Sequence, residues 1–314
     1  MRWLGLASLA GCIEYDPGAN LDPGLAPPDG PPPAEGSVPD ESALDSWDLR
    51  SGTAIDVIVF GDTSGSMDEE LRTLGQTVTP FAERLAETVD DWQLASINGD
   101  DGCTQTGILT PDTPNFADRF ADALTQSPWD EDTDEQGLST AARAVRESRP
   151  GGCNEGLVRG ELLHLIFVSD ENDESPGFDE SPSYWRDYWT QIVEQHGDEL
   201  MVTMSAVAGP TPGGCTGADP GFGYDGAVAG TSGEFLSLCD DWAADIDLLA
   251  DAGVVRDTFP LSERPVATTI EVWINAVGVG GDRWRYDAGA NAVVFDADPP
   301  VGGDQVDILY TVAL

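Results

Sequence analysis

Two stretches of this sequence place oxygen-bearing side chains directly after an apolar run. After the run VIVF come Asp62, Ser64 and Ser66, which form the pattern D-x-S-x-S. A second run, LLHLIFV, is followed by a serine and then by Asp170. Two carboxylates and two hydroxyl groups are hard oxygen ligands, which suit Mg²⁺ or Mn²⁺. These residues therefore predict a divalent-metal site.

Each half of this site has a simpler reading. Ser66 and Glu69 form the S-x-x-E pattern of a capping box, so Ser66 could instead cap the following helix. A cap would need neither Asp62 nor Ser64. Asp170 could be an ordinary loop carboxylate that begins the acidic run DENDE.

The segments around these residues alternate between apolar runs and amphipathic stretches, which is typical of a parallel α/β sheet. AIDVIVF, WQLASIN, LLHLIFVSD and LMVTMSAVAG read as strands, and FADRFADAL, GLSTAARAV, YWRDYWTQIVEQ and DWAADIDLLADAG read as helices. In the first helix the apolar residues recur every three or four positions, from Leu71 to Val89. We predict a doubly wound, mostly parallel, Rossmann-like sheet with Asp62 and Asp170 at its carboxyl edge, where ligands bind.

VIVFGDTSGSM resembles the first motif of von Willebrand factor type A (VWA) domains, the metal-ion-dependent adhesion site. The resemblance covers about residues 50–256 and implies that Asp62, Ser64, Ser66 and Asp170 hold the ion. It also implies that a protein partner donates a carboxylate to the open position on that metal. Mg²⁺ is the expected ion, with Mn²⁺ or Ca²⁺ as alternatives.

The sequence departs from the family at the threonine ligand, which the family places in a T-G-x-A-L stretch. The corresponding stretch is DTDEQGLSTAARAV, and alignment of its glycine puts Gln136 at the threonine position. Thr133 could be the ligand if the loop is longer, or Glu135 could supply a carboxylate. A carboxylate here would make the metal less electrophilic and would favour Ca²⁺.

The N-terminus, MRWLGLASLAGC, resembles a bacterial lipoprotein signal that ends in Leu-Ala-Gly-Cys. The resemblance implies that residues 1–11 are removed and that Cys12 is lipidated, although a short ordinary signal peptide is the alternative. Residues 12–49, rich in Pro, Gly and Asp, read as a tether. We expect a bacterial envelope protein that contacts the membrane only through its lipid. Ile13 favours the outer membrane, because it is not the aspartate that retains such proteins at the inner membrane.

Without Cys12 the chain has four cysteines, an even number that fits an exported, oxidising compartment. Four cysteines allow three pairings. We favour Cys103 with Cys153 and Cys215 with Cys239, because each pair flanks loops near the same end of the predicted sheet.

After the predicted α/β domain, residues 257–314 contain no helical pattern. ATTIEVWINAVG, WRYDAGANAVVF and QVDILYTVAL read as strands separated by Gly and Pro turns. We predict a small all-β, sandwich-like domain.

The chain is strongly acidic. Its 314 residues contain 58 Asp and Glu but 14 basic residues, all of them arginine, for a formal net charge of −44. Such a charge repels phosphate backbones, so we expect no nucleic-acid partner. A solvated acidic surface explains most of this charge, and some of the carboxylates could also concentrate cations near the metal site.

The sequence offers little for catalysis. It contains no G-x-S-x-G elbow, its two histidines read as structural, and its glycine-rich stretch GPTPGGC lacks the P-loop lysine. We expect a metal-dependent adhesion module rather than an enzyme, with a metal-independent envelope scaffold as the alternative. RGELLHLIFVSDENDES, SAVAGPTPGGC and GTSGEFLSLCDDW resemble the VWA lipoproteins of myxobacteria-like, GC-rich bacteria.

Overall fold

The computed structural model describes residues 27–28, 30–33, 41–49, 54–99, 101–125, 136–178, 184–197, 201–254, 257–301 and 303–313. The predicted signal peptide, Cys12, Thr133 and Glu135 lie outside these residues. No helix within the described ranges combines the length and apolar character needed to cross a bilayer.

The described residues form twelve strands and six α-helices. The strands are β1 (Ser42–Asp48), β2 (Ala54–Gly61), β3 (Asp91–Ile97), β4 (Leu162–Ser169), β5 (Val202–Ala208), β6 (Phe235–Ser237), β7 (Thr258–Pro260), β8 (Glu271–Ile274), β9 (Val277–Val279), β10 (Trp284–Asp287), β11 (Ala292–Phe295) and β12 (Gln305–Thr311). The helices are α1 (Asp68–Thr88), α2 (Phe116–Thr125), α3 (Gly137–Arg146), α4 (Arg186–His196), α5 (Tyr224–Thr231) and α6 (Ile246–Ala252).

The central sheet is parallel, with strand order β3–β2–β4–β5–β6. All eight residues of β2 are buried, as a strand covered by helices on both faces requires. On one face Val57 and Val59 pack with residues of α1 and α6. On the other face Ile58 and Phe60 pack with residues of α3, α4 and α5. The predicted doubly wound α/β fold is confirmed.

The C-terminal part contains two antiparallel sheets, ordered β1–β12–β8–β9 and β10–β11–β7. They share one hydrophobic cluster, in which the ring of Trp47 on β1 of the first sheet packs against that of Phe259 on β7 of the second. The predicted sandwich-like arrangement is therefore present. Two of the three predicted strands are hairpins instead, because residues with positive φ interrupt them. Asn275 and Ala276 turn the chain between β8 and β9, and Asn291 does so before β11.

The prediction of a tether over residues 12–49 is wrong for its last part, which forms strand β1. Residues 12–49 were expected to lack regular structure, but Ser42–Asp48 pairs antiparallel with β12 along its whole length. Trp47 is buried in the C-terminal cluster, with its ring centroid 5.3 Å from that of Phe259. The C-terminal sheets therefore include a strand that precedes the α/β sheet in the chain.

The structure contains the two disulfides that the sequence analysis favours. Cys103–Cys153 joins the segment after β3 to the turns between α3 and β4, and its Cα atoms are 5.7 Å apart. Cys215–Cys239 joins the loop after β5 to the turn after β6, with a Cα separation of 6.3 Å. The second bond therefore ties edge strand β6 to its neighbour at the carboxyl edge of the sheet.

Candidate metal centre

Asp62 lies directly after β2, and its side chain is 2% exposed. Its main-chain N–H donates to the carbonyl of Val168 on β4 at 3.0 Å, which fixes the chain at the edge of the sheet. Its Oδ1 accepts from the N–H of Ser64 and its Oδ2 from the hydroxyl of Ser169, each at 2.8 Å. Burial, and to a lesser extent the negative charge of Asp170, raise the pKa of Asp62. A bound cation would offset this repulsion between the two carboxylates.

Ser64 and Ser66 hold their hydroxyl groups together, with 2.9 Å between the two Oγ atoms. Ser64 precedes a short 3₁₀ helix, Gly65–Met67, which contains Ser66 and leads into α1, and the side chain of Met67 in it is buried. No side chain caps this 3₁₀ helix or α1. The capping-box reading of Ser66 is therefore wrong, and both hydroxyl groups remain available as ligands.

Asp170 follows β4 and is 7% exposed. Its Oδ1 is buried and has no hydrogen-bond partner in the described part of the chain. Its carbonyl accepts from the N–H of Asp219 at 2.8 Å, which holds the main chain in place. A buried carboxylate oxygen without a partner is unfavourable, and a cation is the natural group to satisfy it.

These four residues suit a hard divalent cation, because they combine two carboxylates and two hydroxyl groups. Among the described residues, no three or more His, Cys, Asp and Glu side chains cluster in a way that could hold a metal. A softer site, such as zinc bound by His and Cys, is therefore not formed by these residues. The donor set and the unpaired Oδ1 of Asp170 both fit Mg²⁺ or a similar ion.

The structure does not decide the threonine position, because Thr133 and Glu135 lie outside the described residues. Gln136, which the alignment places there, is described and immediately precedes α3. Its side-chain Oε1 accepts from the hydroxyl of Ser139 at 3.3 Å. Gln136 therefore has a local structural contact at the start of the helix.

Asp173 was missed by the sequence analysis, although it organises the same edge of the sheet. It is fully buried, and its carboxylate accepts from the N–H of Leu138, from both the N–H and the hydroxyl of Ser175, and from the hydroxyl of Tyr184. Leu138 lies in the first turn of α3, so Asp173 joins the loop after β4 to this helix.

Each of the two histidines makes a hydrogen bond to a neighbouring part of the fold. His164 is fully buried on β4, and its Nε2 lies 2.7 Å from the hydroxyl of Ser205 on β5. Burial lowers the pKa of His164 to about 3, so it is neutral at physiological pH. His196 ends α4, and its Nε2 lies 2.7 Å from the carbonyl of Glu161. Neither histidine is placed among Asp62, Ser64, Ser66 and Asp170.

No protein-family model matches this sequence, and neither does any curated protein. Among solved structures, the chain is similar to a von Willebrand factor type A protein from Catenulispora acidiphila. The identity is 13% and the TM-score 0.44, over 90% of this chain and 67% of that chain.

The chain is also similar to proximal thread matrix protein 1 from the mussel byssus, in two structures with 11% and 13% identity. Both have a TM-score of 0.37, and they cover 65% and 67% of this chain and 49% and 48% of the mussel chains. The chain thus spans about half the length of those two chains. Identities and scores this low do not assign a family.

Proposed function

We propose that this protein is a lipid-anchored bacterial envelope protein of the VWA type that binds a protein partner through a divalent metal. Asp62, Ser64, Ser66 and Asp170 would hold the ion, Mg²⁺ first and Mn²⁺ or Ca²⁺ as alternatives. The bound ion would supply an electrophilic position for a carboxylate of the partner. The observation that carries the proposal is the buried Oδ1 of Asp170, which has no hydrogen-bond partner among the described residues.

The neighbouring geometry supports the same reading. The Asp62 carboxylate is held on one oxygen by Ser64 and on the other by Ser169, so it is fixed before any ion arrives. The hydroxyl groups of Ser64 and Ser66 point toward each other and serve no cap. A pre-arranged oxygen set loses little conformational freedom when an ion binds.

Calorimetric titration of the full chain with Mg²⁺, Mn²⁺ and Ca²⁺ tests the metal site. We expect one saturable site, and we expect Asp62→Asn to weaken it by roughly 100-fold or more, since even residues behind the ligands change metal affinity by about 10–100-fold. Asp90→Asn is the matched control, because Asp90 is exposed and precedes β3 at the opposite edge of the sheet. The chain should retain residues 41–49, which form part of the C-terminal sheet.

Equal affinity in Asp62→Asn and Asp90→Asn would remove the metal site from the proposal. The lipid anchor is tested separately, by incorporation of labelled palmitate into the wild-type protein and into Cys12→Ser. Label that persists in Cys12→Ser would place the lipid elsewhere and would leave the metal result unaffected.

A metal-independent envelope scaffold is the second candidate, and the contact of Gln136 favours it. The residue at the threonine position bonds to Ser139 within its own helix end. If the titration detects no saturable site for any of the three ions, the scaffold becomes the better reading. Any partner would then bind equally well in the presence of a chelator.

A further inference from the structure

Trp273 on β8 is buried, although it lies on the face of its sheet that is turned away from the hydrophobic cluster. On β8 its neighbour Val272 points into the hydrophobic cluster shared by the two C-terminal sheets, so Trp273 points to the opposite face. That outer face would normally meet solvent, yet Trp273 is 2% exposed. In the sheet register it stands between Asp307 of β12 and Gly278 of β9. Another part of the molecule must therefore cover Trp273 on this outer face.

The cover includes Pro27, Pro28 and Gly30, which belong to a proline-rich piece of the N-terminal region. The indole N–H of Trp273 donates to the carbonyl of Gly30 at 2.8 Å. A Cβ on Gly278 would lie 2.5 Å from the carbonyl oxygen of Pro28 and 2.9 Å from its Cδ, so only glycine leaves the room. A Cβ on Gly280 would lie 3.7 Å from Cδ of Pro27. On neighbouring strands, the sheet thus provides a hydrogen-bond donor, the indole N–H of Trp273, and a space for the peptide, above Gly278.

This pair of features suits a proline-rich peptide. Proline has no N–H and cannot extend a sheet by ladder hydrogen bonds, but its carbonyls remain free to accept. Proline-rich segments dock on aromatic surfaces in an extended form that loses little entropy on binding. Residues 27–33 read PPDGPPP, and here a tryptophan N–H bonds to the carbonyl of their central glycine.

Pro28 also borders a cavity beside the core of the sandwich. A cavity of about 370 Å³ has Pro28 in its wall, together with Ile270, Val279, Trp284 and Tyr310. All four of these other residues belong to the core of the C-terminal sheets. Departure of Pro28 would expose apolar surface to water, so the docked state is favoured by burial as well as by the hydrogen bond.

We propose that the outer face of the β1–β12–β8–β9 sheet is a recognition site for a proline-rich peptide, and that this chain fills it with its own segment that contains Pro27, Pro28 and Gly30. The site is independent of the metal centre. Because only seven residues separate Pro33 from Glu41, the occupant stays at an effective concentration of millimolar order. A free peptide therefore competes poorly with it in the wild-type chain.

The first test follows the indole N–H resonance of Trp273 in the full chain, assigned by its loss in Trp273→Phe. Gly278→Ala puts a methyl group against Pro28 and should shift this resonance and speed its solvent exchange by about tenfold or more. Gly213→Ala is the matched control, because its Cβ would meet nothing within 4 Å. The resonances of the other tryptophans report whether each variant is folded. An unchanged Trp273 resonance in folded Gly278→Ala would overturn the proposal.

The second test asks whether the site accepts the same peptide from outside. A labelled peptide of residues 26–36, APPDGPPPAEG, is titrated into the wild-type chain, into the double variant Pro27→Ser, Pro28→Ser, and into Gly278→Ala. We expect the double variant, whose own segment docks weakly, to bind at least tenfold more tightly than the wild type. Gly278→Ala should not bind. If the double variant binds no better than Gly278→Ala, the face is a fixed structural contact and the proposal is wrong.

Discussion

Asp173 combines full burial with four hydrogen bonds to its carboxylate. Burial dominates and raises the pKa of Asp173 to about 6, against the hydrogen bonds that lower it. The folded protein therefore holds a proton on this group over a pH range in which the unfolded chain has released it. Stability must fall as the pH rises through that range.

We predict that the free energy of unfolding decreases between pH 4 and pH 6, with a contribution from Asp173 of roughly 3 kcal/mol. In Asp173→Asn this contribution should disappear, so the profile should be flatter, although the variant is less stable overall because an amide offers one acceptor oxygen. Urea unfolding in metal-free buffer at several pH values measures the profile, with Asp90→Asn as the control. A profile of Asp173→Asn as steep as that of Asp90→Asn would contradict the assignment.

At the scale of single residues, the sequence indicated Asp62 and Asp170 at the edge of the sheet, but not Asp173, which holds the neighbouring loop to α3. Asp62 and Asp170 could be predicted because each follows an apolar strand, and parallel strands bring their ends to one edge. Asp173 lies within the run DENDE, where nothing in the residue types distinguishes its buried carboxylate from those of half-buried Glu171 and exposed Glu174. That distinction depends on Leu138 and Tyr184, which are distant in the chain.

At the scale of elements, β1 joins a segment that precedes the α/β sheet to β12, the last strand of the chain. Ser42 pairs with Thr311 and Asp48 with Gln305, so the strand that precedes the α/β sheet completes a sheet that follows it. Trp47 contributes the aromatic ring that packs edge-on against Phe259. The α/β sheet is thus inserted between two parts of the C-terminal sandwich.

We predict that Trp47→Ala lowers the free energy of unfolding by roughly 3–5 kcal/mol, as expected for removal of a buried aromatic side chain. Urea denaturation followed by tryptophan fluorescence and far-UV circular dichroism measures the change. Trp47→Phe keeps a ring in the cluster and should lose clearly less. A loss below about 1 kcal/mol in Trp47→Ala would mean that β1 contributes little to the sandwich.

The elements that the sequence did not predict are short or have few apolar residues. SALDSWD has few apolar residues and follows a proline-rich stretch, and it becomes a strand only because β12 pairs with it. Helix α5, YDGAVAGT, has only eight residues, and its buried face of Tyr224, Ala227, Val228 and Thr231 is not a uniformly apolar stripe. Strand β6 is only three residues long. The strongly periodic α1 and the apolar β2 and β4 were predicted correctly.

At the scale of the whole molecule, the net charge of −44 is the dominant property. The negative charges repel one another more strongly in the compact state than in the expanded chain. Among the described residues, some carboxylates are paired with arginine, as Asp251 is with Arg84 at 2.7 Å. With 14 basic residues for 58 acidic ones, arginine cannot neutralise most of this charge.

We predict that sodium chloride stabilises the protein at pH 7.5. Raising the salt from 0.05 to 1 M shortens the Debye length to about 3 Å and should raise the melting temperature by roughly 4–8 °C, or about 2 kcal/mol. Differential scanning calorimetry measures this shift. The same series near the isoelectric point is the control, and the shift should largely vanish there. A shift of equal size at both pH values would point to salt effects on hydrophobic burial instead.

Strand β2 is an interior strand of the parallel sheet, between β3 and β4, and ends where Asp62 begins the candidate site. It is paired over seven residues with β3 on one side and over seven with β4 on the other. A force applied at Asp62 along the strand runs across these hydrogen bonds, so it loads both ladders in shear rather than opening them one bond at a time. Any tension that a partner exerts on the site along β2 is therefore spread over both neighbouring strands, β3 and β4.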